Sequence, residues 1–245
     1  MAKAKRNDNK RIRFFIKWLW IGTGSFIFLI TLLFVLTASG LFGEMPSFEQ
    51  LENPKSQLAT EVYSADGVLL GKYYFQNRSI ASFDEIPPLL RNTLLATEDI
   101  RFYKHSGIDY WGTLRAIVAT LMGDKEGAST ITQQLAKNLF LSGERSYWRK
   151  AQEALITLMI EAVMDKQRIL HLYLNYAEWG VGVFGAQAAA QHYFGIPASQ
   201  LNAYQAARLA AMLPRPRHYD KHRDSAFLAS RTEFVLRWMP QMQLP

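Results

Sequence analysis

The chain has 245 residues, room for one ordinary domain and an appendage, and its 49% hydrophobic and 20% charged residues exclude a wholly disordered protein. It contains no cysteine, so disulfides, thiolate nucleophiles and cysteine zinc sites are excluded together. The net charge of +7 is concentrated in residues 1–17, where seven cations face only Asp8; the nearly neutral remainder speaks against a nucleic-acid binder.

After this basic tail, residues 18–43 (WLWIGTGSFIFLITLLFVLTASGLFG) carry no charge. The run exceeds the ~20 residues a helix needs to cross a bilayer, and we read it as a single transmembrane helix. Cations before it and Glu44 after it place the N-terminus in the cytoplasm and the rest of the chain outside. A cleaved signal peptide would have a shorter apolar stretch and a clearer cleavage site than Ala38-Ser39-Gly40.

Residues 44–86 read as a linker and a β-hairpin, two β-rich runs meeting at Asp66-Gly67, a pair that favours a tight turn. From residue 87 to residue 245 the pattern is helical almost throughout, broken at glycines and prolines, so the fold class is mainly α.

Three stretches carry chemistry. In residues 89–109 (LLRNTLLATEDIRFYKHSGID) a helix would put Glu98 on the same inward face as Leu94 and Leu95. Burial there would raise its pKa and make it a proton acceptor, with Asp99 orienting or perturbing it; solvated acids at a helix end are the alternative. In residues 127–138 (GASTITQQLAKN), Thr130, Gln134 and Lys137 would share a polar stripe suited to an anionic or polyhydroxylated ligand, the alternative being an ordinary amphipathic helix. In residues 145–166 (RSYWRKAQEALITLMIEAVMDK) a helix would align Lys150, Glu153 and Thr157 and turn Ala154, Leu155, Leu158, Met159 and Ala162 inward. Arg145, Arg149 and Lys150 beside one glutamate could hold a pyrophosphate, with Glu153 binding a divalent cation or protonating a departing oxygen; a solvated face of ion pairs is the alternative.

Together these stretches resemble glycosyltransferase family 51. The resemblance is carried by Glu98-Asp99-x-x-Phe102-x-x-His105-x-Gly107-x-Asp109, then residues 127–138, then Arg149-Lys150-x-x-Glu153. Residues 166–175 with Gly180 and Gly185 are similar to the fourth motif, and residues 206–216 with Tyr219 to the fifth. The resemblance implies a lysozyme-like helical lobe with a small membrane-proximal jaw, polymerising lipid II into peptidoglycan glycan strands. It implies Glu98 as the general base toward the acceptor 4-hydroxyl and Glu153 as the second essential glutamate, near the donor pyrophosphate. Gln134, Lys137, Arg145, Arg149 and Lys150 would bind donor phosphate and sugar, and Asp99, Phe102, His105, Ser129, Thr130 and Asn175 would shape the substrate cleft.

A divalent cation, Mg²⁺ or Mn²⁺, held at Glu153 is the cofactor the family implies. The implied partners are lipid II, the growing strand, the bilayer, other cell-wall synthesis proteins and the inhibitor moenomycin, with no nucleic acid. The implied location is a bacterial inner membrane, crossed once, with the catalytic domain periplasmic or extracellular. The absence of Ser-x-x-Lys from the sequence favours a monofunctional transglycosylase over the same module in a class A penicillin-binding protein, although a truncated or composite chain stays open. A lysozyme-like hydrolase and an inactive membrane scaffold are the competing functions.

Overall fold

The computed structural model describes residues 2–41, 43–54, 60–66, 69–73, 77–124, 127–141 and 146–239. These divide into two compact units, residues 1–45 with 144–155, and residues 46–143 with 156–245.

The first unit opens with helix α1 (Ala2–Ala38), whose segment Ile12–Ala38 has a mean hydropathy of 2.3 and no buried residue in its most apolar window. In that window the apolar surface has no protein covering it, as a segment in lipid requires. The helix ends five residues before the expected limit at Gly43. Ser39 N–H still reaches the Val35 carbonyl, but Gly40 takes a φ of +79°, which stops the helix.

The second unit begins with α2 (Phe48–Glu52), capped by a reciprocal pair in which Ser47 and Gln50 each bond the other's backbone N–H. The expected hairpin is present as antiparallel strands β1 (Thr60–Tyr63) and β2 (Leu69–Tyr73), Thr60 opposite Tyr73. A second sheet was not expected. In it β3 (Asn77–Arg78) lies parallel to β5 (Val183–Phe184), and β4 (Glu178–Gly180) pairs antiparallel with β5.

The helical body consists of α3 (Pro88–Glu98), α4 (Tyr110–Leu121), α5 (Ile131–Phe140), α6 (Tyr147–Val163), α7 (Lys166–Tyr176), α8 (Ala186–Phe194), α9 (Ala203–Met212), α10 (Pro216–Lys221) and α11 (Ala226–Trp238). The first part of α6 belongs to the first unit and the remainder to the second. Helix α3 starts at a proline, where the missing N–H costs nothing. Helix α9 packs against both α3 and α11, and α5 packs against α7. Ala206, Ala207, Ala210 and Ala211 are fully buried along α9, and their small side chains let neighbouring helices approach closely.

Helix α6 is rotated from the expected orientation. It buries Gln152, Glu153, Ile156, Thr157 and Ile160, while Leu158 is 41% exposed. The buried side of the helix is thus its polar stripe. Near Thr157, Gly107 (φ +85°) comes so close that a Cβ on it would lie 2.6 Å from the Thr157 methyl.

Candidate active site

Glu98 is the last residue of α3, half-buried, and one of its carboxylate oxygens accepts a hydrogen bond of 2.9 Å from the Gln134 side-chain amide. The Gln134 carbonyl oxygen in turn accepts a bond of 2.8 Å from the Tyr173 hydroxyl. Tyr173 is buried to 1% exposure, which pushes its pKa well above the usual value and keeps the phenol a donor. A donating phenol fixes the Gln134 amide with its oxygen toward Tyr173 and its nitrogen toward Glu98. Burial raises the Glu98 pKa; the Gln134 bond and the charges of Arg231 and Lys137 oppose that rise, and Asp99 adds to it. The result is a carboxylate held in one orientation and made more basic than a solvated one.

Two cavities meet at this carboxylate. One, of about 460 Å³, is lined by Glu98, Gln134, Lys137, Tyr173, Arg215 and His218 among others. The other, of about 620 Å³, is lined by Glu98, Ser129, Asp109, Arg115, Arg215 and Arg231 among others. Each is of the size that holds a small ligand.

Asp99 does not orient Glu98; it ties three segments together. One oxygen lies 3.0 Å from His105 Nε2, and the other accepts the Ile131 N–H at 3.0 Å, satisfying an otherwise orphan donor at the start of α5 where negative charge is favoured. Thr130 does not extend the Gln134 and Lys137 stripe. It is the N-cap of α5, bonded reciprocally with Gln133, and its hydroxyl donates to the Gly107 carbonyl at 2.5 Å. It still borders the larger cavity, as do Asp99 and Ser129.

Three other expected cleft residues are committed to the fold. Phe102 is 1% exposed, in the core, with the Lys166 ammonium 4.5 Å from its ring centre. His105 is held by Asp99 and lies edge-on to Phe102. The Asn175 amide oxygen accepts the Ala81 N–H at 2.9 Å and its nitrogen donates to the Ala81 carbonyl at 3.0 Å, besides bonding the His171 carbonyl of its own helix, and so clamps the segment before α3 onto α7.

In the first unit, Glu153 is buried to 3% exposure, ion-paired with Lys150 and 3.9 Å from Arg149. Both pairs lie within α6, at i,i+4 and i,i+3 spacing, as the expected alternative of a helix face of ion pairs also provides, though Glu153 is buried; Arg145 lies outside the described residues. The described residues hold no cluster of three His, Cys, Asp or Glu that could by itself bind a metal ion.

The transglycosylase family matches residues 66–240, more than half of the chain. The chain belongs to that family. It is accordingly an enzyme, a glycosyltransferase. It is 55% identical over 170 residues to a protein of Bordetella avium named biosynthetic peptidoglycan transglycosylase, covering 66% of this chain and 70% of that protein. A protein of Herminiimonas arsenicoxydans with the same name is 57% identical over 158 residues, covering 64% and 68%. The crystal structure of Penicillin-Binding Protein 1A from Haemophilus influenzae matches 78% of the chain over 18% of its own length, at 22% identity and a TM-score of 0.38, too loose a likeness to bear on the fold.

Among the residues of this transglycosylase that line the cavities at Glu98, sequence reasoning missed Tyr173, Arg215 and Arg231, as well as Arg115 and His218. Tyr173 lies inside the fourth motif but reads as one more apolar helix position. Arg215 falls at an unspecified position of the fifth, and Arg231 lies beyond all five. Only the fold brings residues 98, 134, 173, 215 and 231 around one cleft.

Proposed function

We propose that this transglycosylase polymerises lipid II into β-1,4-linked glycan strands at the outer face of a bacterial plasma membrane, releasing undecaprenyl pyrophosphate with inversion. The observation that carries this reading is the oriented, half-buried Glu98 at the meeting of two cavities. The acceptor 4-hydroxyl oxygen attacks the donor's anomeric carbon as its proton passes to Glu98, and the bond from that carbon to the pyrophosphate oxygen breaks. A base with a raised pKa drives that proton transfer better than a solvated carboxylate would.

The resemblance assigns the departing pyrophosphate to Gln134, Lys137, Arg145, Arg149 and Lys150, with Glu153 assisting. The pairing of Glu153 with Arg149 and Lys150 supports its role as the group that positions these cations. A divalent cation at this site would be held by Glu153 together with the substrate's phosphate oxygens and would help neutralise the departing pyrophosphate.

Two features support a membrane setting. Helix α1 has the length and composition of an anchor or a signal sequence, and the basic tail before it favours a cytoplasmic N-terminus. On α4 and at the residue that ends it, Trp111, Leu121 and Met122 are 67%, 83% and 81% exposed, an apolar face suited to resting on lipid. The testing experiment is incubation of the full chain with lipid II in detergent, with and without moenomycin. Moenomycin-sensitive polymer supports the reading; release of fragments from preformed sacculi without polymer marks a hydrolase instead.

A further inference from the structure

The Nε2 atom of His192, on α8, lies 3.1 Å from Asp220 Oδ1 and 2.8 Å from a terminal nitrogen of Arg223. A ring nitrogen presents either one N–H or one lone pair, so it satisfies one of these neighbours and not both. The same Arg223 nitrogen donates to Asp220 Oδ1 at 2.5 Å, and the guanidinium sits over the Tyr193 ring, 4.8 Å from its centre. This is the arrangement of a neutral imidazole with its proton on Nδ1: of the two hydrogens on the Arg223 nitrogen, one serves the Asp220 carboxylate and the other the Nε2 lone pair. A protonated imidazole would turn an N–H toward Arg223 and set two like charges against each other, leaving Asp220 as the partner it can keep. The His192 side chain is 31% exposed, so solvent protons reach it.

This cluster stands behind one wall of the smaller cavity. Asp220 Oδ2 accepts the Val181 N–H at 2.9 Å, and the Tyr193 hydroxyl donates to the Trp179 carbonyl at 2.8 Å, so the cluster grips β4 on both sides of Gly180. A Cβ on Gly180 would lie 2.5 Å from the Tyr193 hydroxyl and 3.0 Å from Asp220 Oδ2, which leaves β4 no slack against it. Strand β4 also carries Glu178, which accepts from Arg217 Nε at 2.8 Å, and Glu178, Arg217 and His218 line the cavity. Burial works against the Asp220 charge, but bonds from Val181, His192 and Arg223 hold its pKa down to about 2. Burial raises the Tyr193 pKa, so the phenol keeps its proton. Of the other ionisable groups nearby, Arg208 on α9 donates to the Arg223 carbonyl, and His218 and His222 on α10 stack on each other. Helix α7 and β3 also pack on α8, but Lys166 pairs with Glu161, Arg168 and His171 bond the Glu52 and Ala81 carbonyls, and Arg78 stacks on Tyr176. Imidazole is the side chain that ordinarily changes charge between about pH 5 and 8, so His192 is the group touching both Asp220 and Arg223 that can switch.

We propose that His192 is a proton-operated latch on this wall. Neutral, it shares Arg223 with Asp220 and holds β4 and α10 as described. Protonated, it takes Asp220, releases Arg223 from Asp220 and Tyr193, and loosens the wall, so that acid weakens the use of substrate by a route separate from Glu98. The latch rests on the glycosyltransferase reading above only for what the wall serves.

The test follows lipid II polymerisation by the full chain between about pH 8 and about pH 5.5, a range that spans imidazole titration. Wild type is compared with His192→Gln, whose amide oxygen accepts from Arg223 at every pH, and with Arg223→Gln, which removes the shared cation. Titration of Glu98 acts on all three and cancels when they are compared. We expect acid to raise the wild-type KM for lipid II by about 5-fold or more relative to His192→Gln, with kcat moving in parallel, and Arg223→Gln to show the raised KM already at the upper pH. A second readout needs no activity. In ¹⁵N spectra of the histidine-labelled full chain in detergent, the His192 signals, identified by their loss in His192→Gln, should be those of the Nδ1-protonated tautomer at the upper pH. Coincident pH profiles for wild type and His192→Gln, an unmoved KM in Arg223→Gln, or a neutral His192 with its proton on Nε2 would each overturn the latch. A wild type that makes no polymer overturns the glycosyltransferase reading instead, and the spectra then decide the latch by themselves.

Discussion

A single glutamine decides how Glu98 points, and a single tyrosine decides how that glutamine points. Tyr173→Phe removes the one donor facing the Gln134 carbonyl, freeing the amide to rotate and leaving a buried acceptor unpaired. We expect a loss of about 1 to 3 kcal/mol in stability and a fall in activity of roughly 10-fold, read by thermal melts and polymerisation rate. The raised Glu98 pKa also has a thermodynamic signature. The folded state binds that proton more tightly than the unfolded chain does, so the group's stabilising contribution is present below the unfolded carboxylate pKa and is lost as pH rises through the folded one. Glu98→Gln should therefore raise the melting temperature at pH 8 relative to wild type, with the gain vanishing at pH 4. An equal or lower Tm at pH 8 would show that burial does not burden this carboxylate.

At the scale of elements, the sequence exposed the patterns that are local and hid those that are not. The hairpin was legible because alternation and Asp-Gly fall within one short window, and the inward side of α3 because Leu94, Leu95 and Glu98 repeat at helical spacing. The parallel pairing of β3 with β5 was not, since strands of two residues show no alternation and Asn77 meets Val183 from far along the chain. The rotation of α6 escaped because hydropathy ranks Leu158 as core and cannot see that Thr157 lies against Gly107. For the site, Glu98, Gln134 and Lys137 were legible, whereas the supporting roles of Asp99, Thr130, Phe102, His105 and Asn175 were not, because spacing does not reveal which partner a polar side chain finds. Asp99→Asn tests that division. It keeps the shape but loses the pair with His105 and the charge at the start of α5. We expect a loss of about 3 kcal/mol in denaturant unfolding, with residual activity tracking the folded fraction.

For the whole molecule, the proposed membrane setting gives α1 and the basic tail a role in encounter rather than chemistry. A lipid-anchored substrate and an anchored enzyme meet at a high effective concentration, which a freely diffusing domain loses. Removing residues 1–38 should lower activity at dilute lipid II and let it recover as lipid II is raised in detergent, checked by a substrate titration. An unchanged titration would remove the anchor from the account. The most direct test concerns Glu98 itself: the initial rate of lipid II polymerisation by full-length Glu98→Gln protein, shown to be folded by its thermal melt. If Glu98 accepts the acceptor proton, that rate falls by roughly 10²- to 10⁴-fold, because the amide keeps the bond geometry but cannot take the proton. A folded Glu98→Gln enzyme polymerising within a few-fold of wild type would contradict the mechanism.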